Sequence, residues 1–351
     1  MNHFIIFSIS FIFVYLLTFL IRNVAIELNF IDRPEERKFH KTPTPLMGGL
    51  SILIGMVCTF FITFFICVRL IPSLNHSLYF FIGLVLVCGL GLVDDYNGMT
   101  PKLKFSFQIF IAFILIIGSG YTDLIGPWFL TIPLLVFWMV GLMNALNFLD
   151  NMDGITAGLA SILGLGFFAL GILTHNHFIS LLSAIFIGAT SGFLLHNFHP
   201  AKIFLGDAGS MLIGYTLSVL GIVLLKELPK NFSLFLPVLL LSYAIFDIAL
   251  VSITRSRDGR RVLQGGKDHS THRIGTATGS VRITAIIVYL INILMVLITV
   301  IVYSTYNQWV IFITTTLFAF VFIFFGGKLD EIPVLISHNQ IRMTSRHDTS
   351  K

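Results

Sequence analysis

Charge is what this sequence has least of. Asp, Glu, Lys and Arg make up 11% of its 351 residues and 56% are hydrophobic, whereas a soluble domain carries roughly 25% charged residues. That excludes an ordinary soluble globular protein. Cysteine is scarce as well. Cys58, Cys67 and Cys88 all lie inside apolar runs. With no CxxC and no Cys/His spacing they read as small buried hydrophobes, which excludes a disulfide framework. Low-complexity segments and internal repeats are absent, and so is the alternation, in segments of about 10 residues, of a membrane β-barrel. The first apolar run, "FIIFSISFIFVYLLTFLI", has no basic residue before it and no small-residue cleavage site after it. It reads as a retained first span rather than a signal peptide.

What is present is a series of apolar runs long enough to cross a bilayer, with a mean hydropathy of +0.92 over the chain. The fold class that follows is an all-α polytopic integral membrane protein. Eleven spans are predicted, near 3–22, 46–68, 77–94, 105–119, 127–143, 157–174, 178–195, 209–225, 233–251, 282–303 and 308–326. They form one membrane domain over 1–326, followed by a tail over 327–351. All but three of the 22 Lys and Arg residues (Arg69, Lys226 and Lys230) fall on one side of this arrangement. The positive-inside rule makes that side cytoplasmic, with the N-terminus outside and the tail inside. The carboxylates are one-sided too. Of 17, only Asp123 and Glu227 fall outside and only Asp247 falls within a span. The formal charge of +5 is topogenic and suits anionic lipids or substrates, and gives no sign of nucleic acid.

Four polar clusters gather on the cytoplasmic side: "RKFHKTPTPLMGG" (37–49), "VDDYNGMTPKLKFSFQ" (93–108), "NALNFLDNMDGI" (144–155) and "HNFHPAKIFLGDAGSMLIG" (196–214). Asp94, Asp95, Asp150, Asp153 and Asp207 together would repel one another at a hydrocarbon boundary, where charge is expensive. A hard divalent cation, Mg2+ or Mn2+, relieves that repulsion, and Mg2+ takes only one or two protein carboxylates plus substrate phosphates. Asn144, Asn147, Asp150 and Asp153 are spaced by three, so on a straight helix they fan over about 180°. They would rim a broad site rather than share one ion. Taken singly, each cluster has a plainer account, since Asp150, Asp153 or Asp207 could be a helix cap and the Asp94–Asp95 pair simply solvated. The glycines beside the acids and the free N–H groups of helix starts suit phosphate, and with the lysines they point to phosphoryl transfer. His40, His196, His199, His269 and His272 are candidates for phosphate or sugar contact or for structural hydrogen bonds. The i, i+3 pair His269 and His272 lacks the second pair that a zinc site needs. Asp247 has no evident partner in the sequence, and either a functional or a buried structural role is open to it.

In this order, "PTPLMGG", "DDYNGMTPKLKFSFQ", "NALNFLDNMDG", "IFLGDAGSMLIG" and, more loosely, "DHSTHRIG" resemble the polyprenyl-phosphate N-acetylhexosamine-1-phosphate transferases. That family joins the phospho-N-acetylmuramoyl-pentapeptide transferases to the UDP-N-acetylglucosamine–undecaprenyl-phosphate transferases. The resemblance implies a reaction at the cytoplasmic face of the bacterial inner membrane, opening a cell-envelope glycan such as O-antigen lipopolysaccharide or cell wall. A polyprenyl phosphate attacks the β-phosphate of a UDP-amino sugar, and polyprenyl-diphospho-sugar and UMP leave. It implies Mg2+ or Mn2+ as cofactor. Asp207 then looks like the main metal ligand with Asn147 a second, and Phe204 like the residue stacking on uracil. Asp94 and Asp95 look like the pair at the acceptor phosphate. Asn144, Asp150, Asp153 and Lys104 resemble substrate-site residues, and His269, His272 and Arg273 a sugar-selecting loop. Undecaprenyl phosphate, a UDP-amino sugar and the bilayer are the implied partners, and a homodimer is one open assembly.

An acceptor phosphate monoester, with a second pKa near about 6, is already mostly dianionic at pH 7. A general base therefore adds little beside charge neutralisation and positioning, which favours direct in-line attack with Asp94 orienting the acceptor. Two departures from the family pattern bear on this. A third acid common in the family is replaced by Gly98, and its His-rich last motif by "DHSTHR". The expected sugar is N-acetylglucosamine, with a 6-deoxy amino sugar (N-acetylquinovosamine or N-acetylfucosamine) as the alternative. Two rivals fit less well. A cation-coupled transporter would place its acids near the midplane in repeated halves, and a CDP-alcohol phosphatidyltransferase would group them in one short segment.

Overall fold

A computed structural model of the chain describes residues 2–32, 43–66, 74–228, 234–261, 266–305 and 307–333. Thirteen helices among them account for nearly all of the regular structure: α1 (His3–Glu27), α2 (Gly48–Ile66), α3 (Leu74–Asn97), α4 (Pro101–Gly118), α5 (Trp128–Leu149), α6 (Ile155–Leu173), α7 (His177–Asn197), α8 (Gly206–Glu227), α9 (Phe235–Leu240), α10 (Ser242–Arg257), α11 (Ser270–Thr278), α12 (Val281–Ser304) and α13 (Gln308–Asp330). Two short strands, β1 (Ile31–Asp32) and β2 (Thr44–Pro45), pair antiparallel between α1 and α2.

Among the described residues, ten of these helices are long and apolar enough to cross a membrane. The chain is a multi-pass membrane protein. The ninth predicted span, 233–251, departs from expectation: it is two helices, α9 and α10, separated by a turn at Leu241. Leu241 still donates to the Pro237 carbonyl at 3.0 Å and accepts from the Ile245 N–H at 3.2 Å, so the ladder bends there rather than ending. The other helix ends differ in a way that matters for the site. Pro101 starts α4 behind Thr100, whose hydroxyl accepts from the Leu103 N–H, a Pro-at-N1 start that the apolar run alone conceals. α5 runs on to Leu149 and α13 to Asp330. Asp94, Asp95, Lys104, Asn144 and Asn147 therefore stand on helices rather than in loops.

α8 is the axis of the bundle. Every residue from Ala208 to Leu225 is buried, while only 11% of the apolar window of α13 is. α8 packs against α2, α3 and α5, and α7 joins it to α1 and α6. Close approach is possible because the neighbours present glycine. A Cβ on Gly49 would lie 2.2 Å from the Gly209 nitrogen, and one on Gly91 would lie 2.2 Å from the Ala208 Cα. Interhelical contact in a membrane rests on this kind of small-residue packing, since lipid supplies no hydrophobic drive between helices.

Candidate active site

The helices alternate in direction, so the end of α3, the start of α4, the end of α5 and the start of α8 meet at one end of the bundle. Gly98, in the left-handed region at φ +67°, lets the chain leave α3 and turn at once into α4, as glycine commonly does after a helix C-terminus. Asp94 closes that turn: its carbonyl accepts from the Gly98 N–H at 2.8 Å and its Oδ1 from the Met99 N–H at 2.6 Å. Its other oxygen reaches Lys104, one turn into α4, at 2.8 Å. Lys104 Nζ also lies 2.5 Å from Asp207 Oδ2 and 3.5 Å from Asn147 Oδ1. Asn147 Nδ2 donates to Asp207 Oδ1 at 2.8 Å and to Ser210 Oγ at 2.9 Å. Oxygens from α3, α5 and α8 thus converge on a single positive nitrogen.

The remaining predicted residues are spread around this point. Asp95 turns away from Lys104 and accepts from the backbone N–H groups of Asp207, at 2.9 Å, and Ala208, at 3.2 Å. Asn144 donates to the buried Gln108 at 2.8 Å, one turn below Lys104. Asp150 follows the last turn of α5. Asp153 faces the other way, with Oδ2 2.7 Å from His199 Nδ1 and accepting from the Ala201 N–H. Asn144 and Asp153 accordingly serve opposite sides of the stretch. Half-buried Phe204 begins a backbone junction with the "PTPLMGG" segment: its N–H donates to the Pro45 carbonyl at 2.8 Å, and its carbonyl accepts from the Gly48 N–H at 3.0 Å. His40 lies outside the described residues. His196 contacts the Tyr15 carbonyl, remote from Lys104.

The last polar loop docks beside these residues through partners the sequence conceals. Asp247, buried on α10, is 2.8 Å from His269 Nδ1 and accepts from the N–H and hydroxyl of Ser270 at 2.7 and 2.5 Å. The Thr271 hydroxyl donates to Asn151 at 2.7 Å, strapping α11 to the turn after α5. Phe148 meets the His269 ring edge-on at 5.9 Å. His272 is buried beside His269. Arg273 is buried as well, donating to the carbonyls of Asp268 and Leu329 and pairing with Asp330 at 2.8 Å. Arg255 grips Asp268 with two hydrogen bonds, at 2.9 and 2.6 Å. Sequence reading missed Ser210, Gln108, Asn151 and Thr271. All four lie inside the quoted motifs, yet nothing in the sequence assigned any of them a role of its own.

Residues 77–225 match the glycosyl transferase family 4. The chain is 32% identical over 296 residues, 82% of its length and 81% of the relative's, to a probable undecaprenyl-phosphate N-acetylglucosaminyl 1-phosphate transferase of Bacillus subtilis. It is 32% identical over 316 residues (80% and 77%) to a decaprenyl-phosphate N-acetylglucosaminephosphotransferase of Mycobacterium tuberculosis. A phospho-N-acetylmuramoyl-pentapeptide-transferase of Staphylococcus epidermidis is 31% identical over 276 residues (71% and 84%). The chain belongs to the polyprenyl-phosphate N-acetylhexosamine-1-phosphate transferases.

The electrostatics suit such a phospho-sugar transferase. Among the described residues no three His, Cys, Asp or Glu side chains stand together at metal-holding distance. Two carboxylates and an amide are nevertheless the donor set Mg2+ accepts when phosphate oxygens and water complete its shell. The converging oxygens of Asp94, Asp207 and Asn147 around the Lys104 ammonium show a point that attracts positive charge, and the residues fit a hard divalent cation. Burial, and then the charges of Asp207, Asp95 and Asp153, push the Asp150 carboxyl up to about 8. In the last loop, Arg255 and Arg260 hold Asp268 down at about 2 against the opposing effect of burial. Burial, and then the neighbouring His269, push His272 down to about 3, so its ring is neutral at physiological pH.

Proposed function

We propose that the protein transfers N-acetylglucosamine 1-phosphate from UDP-N-acetylglucosamine to undecaprenyl phosphate, on the cytoplasmic side of a bacterial inner membrane, as the first step of a cell-envelope glycan. The observation that carries this reading is the convergence of Asp94, Asp207 and Asn147 on Lys104 at one end of the bundle, with Phe204 two residues before the start of α8. The names of the B. subtilis and M. tuberculosis relatives, both N-acetylglucosamine enzymes, support the sugar.

In the reaction an oxygen of the acceptor phosphate bonds to the β-phosphorus of the donor. The bond from that phosphorus to the bridging oxygen breaks, and UMP departs with the electron pair. The sugar C1–O bond is untouched, so the anomeric configuration is kept. Asp207 and Asn147 would hold Mg2+ or Mn2+, which when bound supplies Lewis acidity and lets two anions approach. Lys104 places a second positive charge against the diphosphate, where a lysine serves as a point charge. Asp94 orients the acceptor from the opposite side of Lys104. Phe204 would stack on uracil, and His269, neighbour of Phe148, would contact the sugar.

The test is UMP release by purified, detergent-solubilised protein given undecaprenyl phosphate, UDP-N-acetylglucosamine and Mg2+, with Asp207→Ala and acceptor-free controls. UMP that requires acceptor, metal and Asp207 is the expected result. Release only with a 6-deoxy donor would keep the chemistry and change the sugar. Silence with every UDP-amino sugar, from folded protein, would sink the transferase reading.

A further inference from the structure

The two adjacent aspartates of α3 do different work. Successive helical residues diverge by about 100°, and here that angle sends Asp94 to Lys104 while Asp95 meets the start of α8. We propose that Asp95 is a positioning residue that caps the N-terminus of α8 from a neighbouring helix and thereby fixes where Asp207 points, without touching either substrate. The proposal rests on the reading of Asp207 as a metal ligand.

Three observations carry it. First, both carboxylate oxygens of Asp95 are engaged by main-chain donors, Oδ1 by the Asp207 N–H and Oδ2 by the Ala208 N–H. Second, α8 has no cap of its own: the residue before it, Leu205, offers no side-chain acceptor. The exposed N–H groups and the positive end of the helix dipole at such a terminus favour a carboxylate. Third, the surroundings are shaped for this contact. Gly206 is in the left-handed region at φ +72°, and a Cβ there would lie 2.6 Å from Asp95 Oδ2. Gly91, one turn before Asp95, brings the α3 backbone directly against Ala208. Asp207 therefore has its backbone held by Asp95 and its side chain held by Lys104 and Asn147.

The experiment is Mn2+ binding to the purified full-length protein, read from the electron paramagnetic resonance of free Mn2+, for Asp95→Asn, Gly206→Ala and the double variant, with Asp207→Ala as reference. Asp95→Asn keeps one acceptor oxygen and loses the other. Gly206→Ala disturbs the same contact while leaving the carboxylate in place. Each is expected to weaken Mn2+ binding by about tenfold or more, the usual cost of losing an outer partner of a metal ligand. The double variant should bind no more than about twofold less tightly than the weaker single one, because both act through one contact. UMP release by Asp95→Asn should recover when Mn2+ is raised. Unchanged Mn2+ binding in Asp95→Asn, with a loss of turnover that extra Mn2+ does not restore, would overturn the proposal and put Asp95 on a substrate. If Asp95→Asn fails to fold, Gly206→Ala decides alone: Mn2+ binding as in the parent protein overturns it. Mn2+ binding that survives Asp207→Ala would instead refute the metal assignment beneath it.

Discussion

The two polar regions at the end of the bundle that holds Lys104 handle charge in opposite ways. Around α3, α4, α5 and α8, the carboxylates of Asp94 and Asp207 share the ammonium of Lys104, Asp95 is held by backbone N–H groups, and burial keeps Asp150 protonated up to about pH 8. Around α10, α11 and α13, each acid has partners of its own: Asp268 has Arg255 and Arg260, Asp330 has Arg257 and Arg273, and Asp247 has the His269 ring and Ser270. A fully paired cluster is finished; it fixes geometry. An under-neutralised one is unfinished and leaves room for charge that arrives with cation and substrate. On the proposed reading, the contrast separates a scaffold from a reacting centre where a count of acids does not.

Substitutions on either side test that contrast, and their effects should differ in kind. Asp207→Asn should cost the most, lowering UMP release by about 10²–10³-fold, the scale of losing one contact aimed at developing charge. Its unfolding midpoint should stay close to that of the parent protein, because Lys104 keeps Asp94 as its partner. A marked loss of stability with turnover retained would reverse the assignment. Arg255→Met comes next and should act on stability. It strands a buried carboxylate, a change that typically costs about 3–5 kcal/mol, here toward the low end because Arg260 remains 2.9 Å from Asp268. Chemical denaturation in detergent measures it, and adding Asp268→Leu should recover part of the loss.

A pH experiment follows in size. Asp150 titrates near 3.8 when unfolded and at about 8 in the folded chain. The folded protein therefore holds an extra proton between those values. The stability this gives is complete below the unfolded value and is lost as pH rises through about 8. In the presence of a chelator, the midpoint of the parent protein should fall more steeply from pH 6 to 9 than that of Asp150→Asn, by a few degrees at about 2–4 °C per kcal/mol. Parallel curves would show that Asp150 ionises freely. Smallest is Thr271→Val, which cuts the 2.7 Å strap to Asn151. It should cost about 0.5–1.5 kcal/mol and raise KM for the donor with kcat held. A fall in kcat alone would place Thr271 with the reacting groups.

Much of this was legible in the sequence, and what was hidden was hidden for definite reasons. Among the described residues, ten of the eleven predicted spans coincide with helices long and apolar enough to cross a membrane, because lipid exposure and burial both demand apolar side chains. It did not foresee the bend at Leu241, which has no breaker at that position. The four polar clusters are separated by up to about 150 residues, yet three of them meet at Lys104. Alternating helix direction makes that meeting predictable from the order of spans alone. What separates Asp94 from Asp95 was illegible, since neighbours in sequence differ only by the direction each side chain takes. Asp247 was opaque for a different reason: its partner His269 lies 22 residues on, in another element.

α8 carries one more consequence. Its apolar window has a mean hydropathy of 2.0, close to the 2.3 of lipid-facing α13, although no part of that window faces lipid in the finished fold. Burial among other helices would tolerate a far more polar sequence. The excess greasiness belongs to an earlier moment, when the newly made segment must partition into bilayer before its neighbours close around it. The glycines at its seams answer to the later moment of assembly. The helix is thus composed for two solvents in succession, first hydrocarbon and then protein.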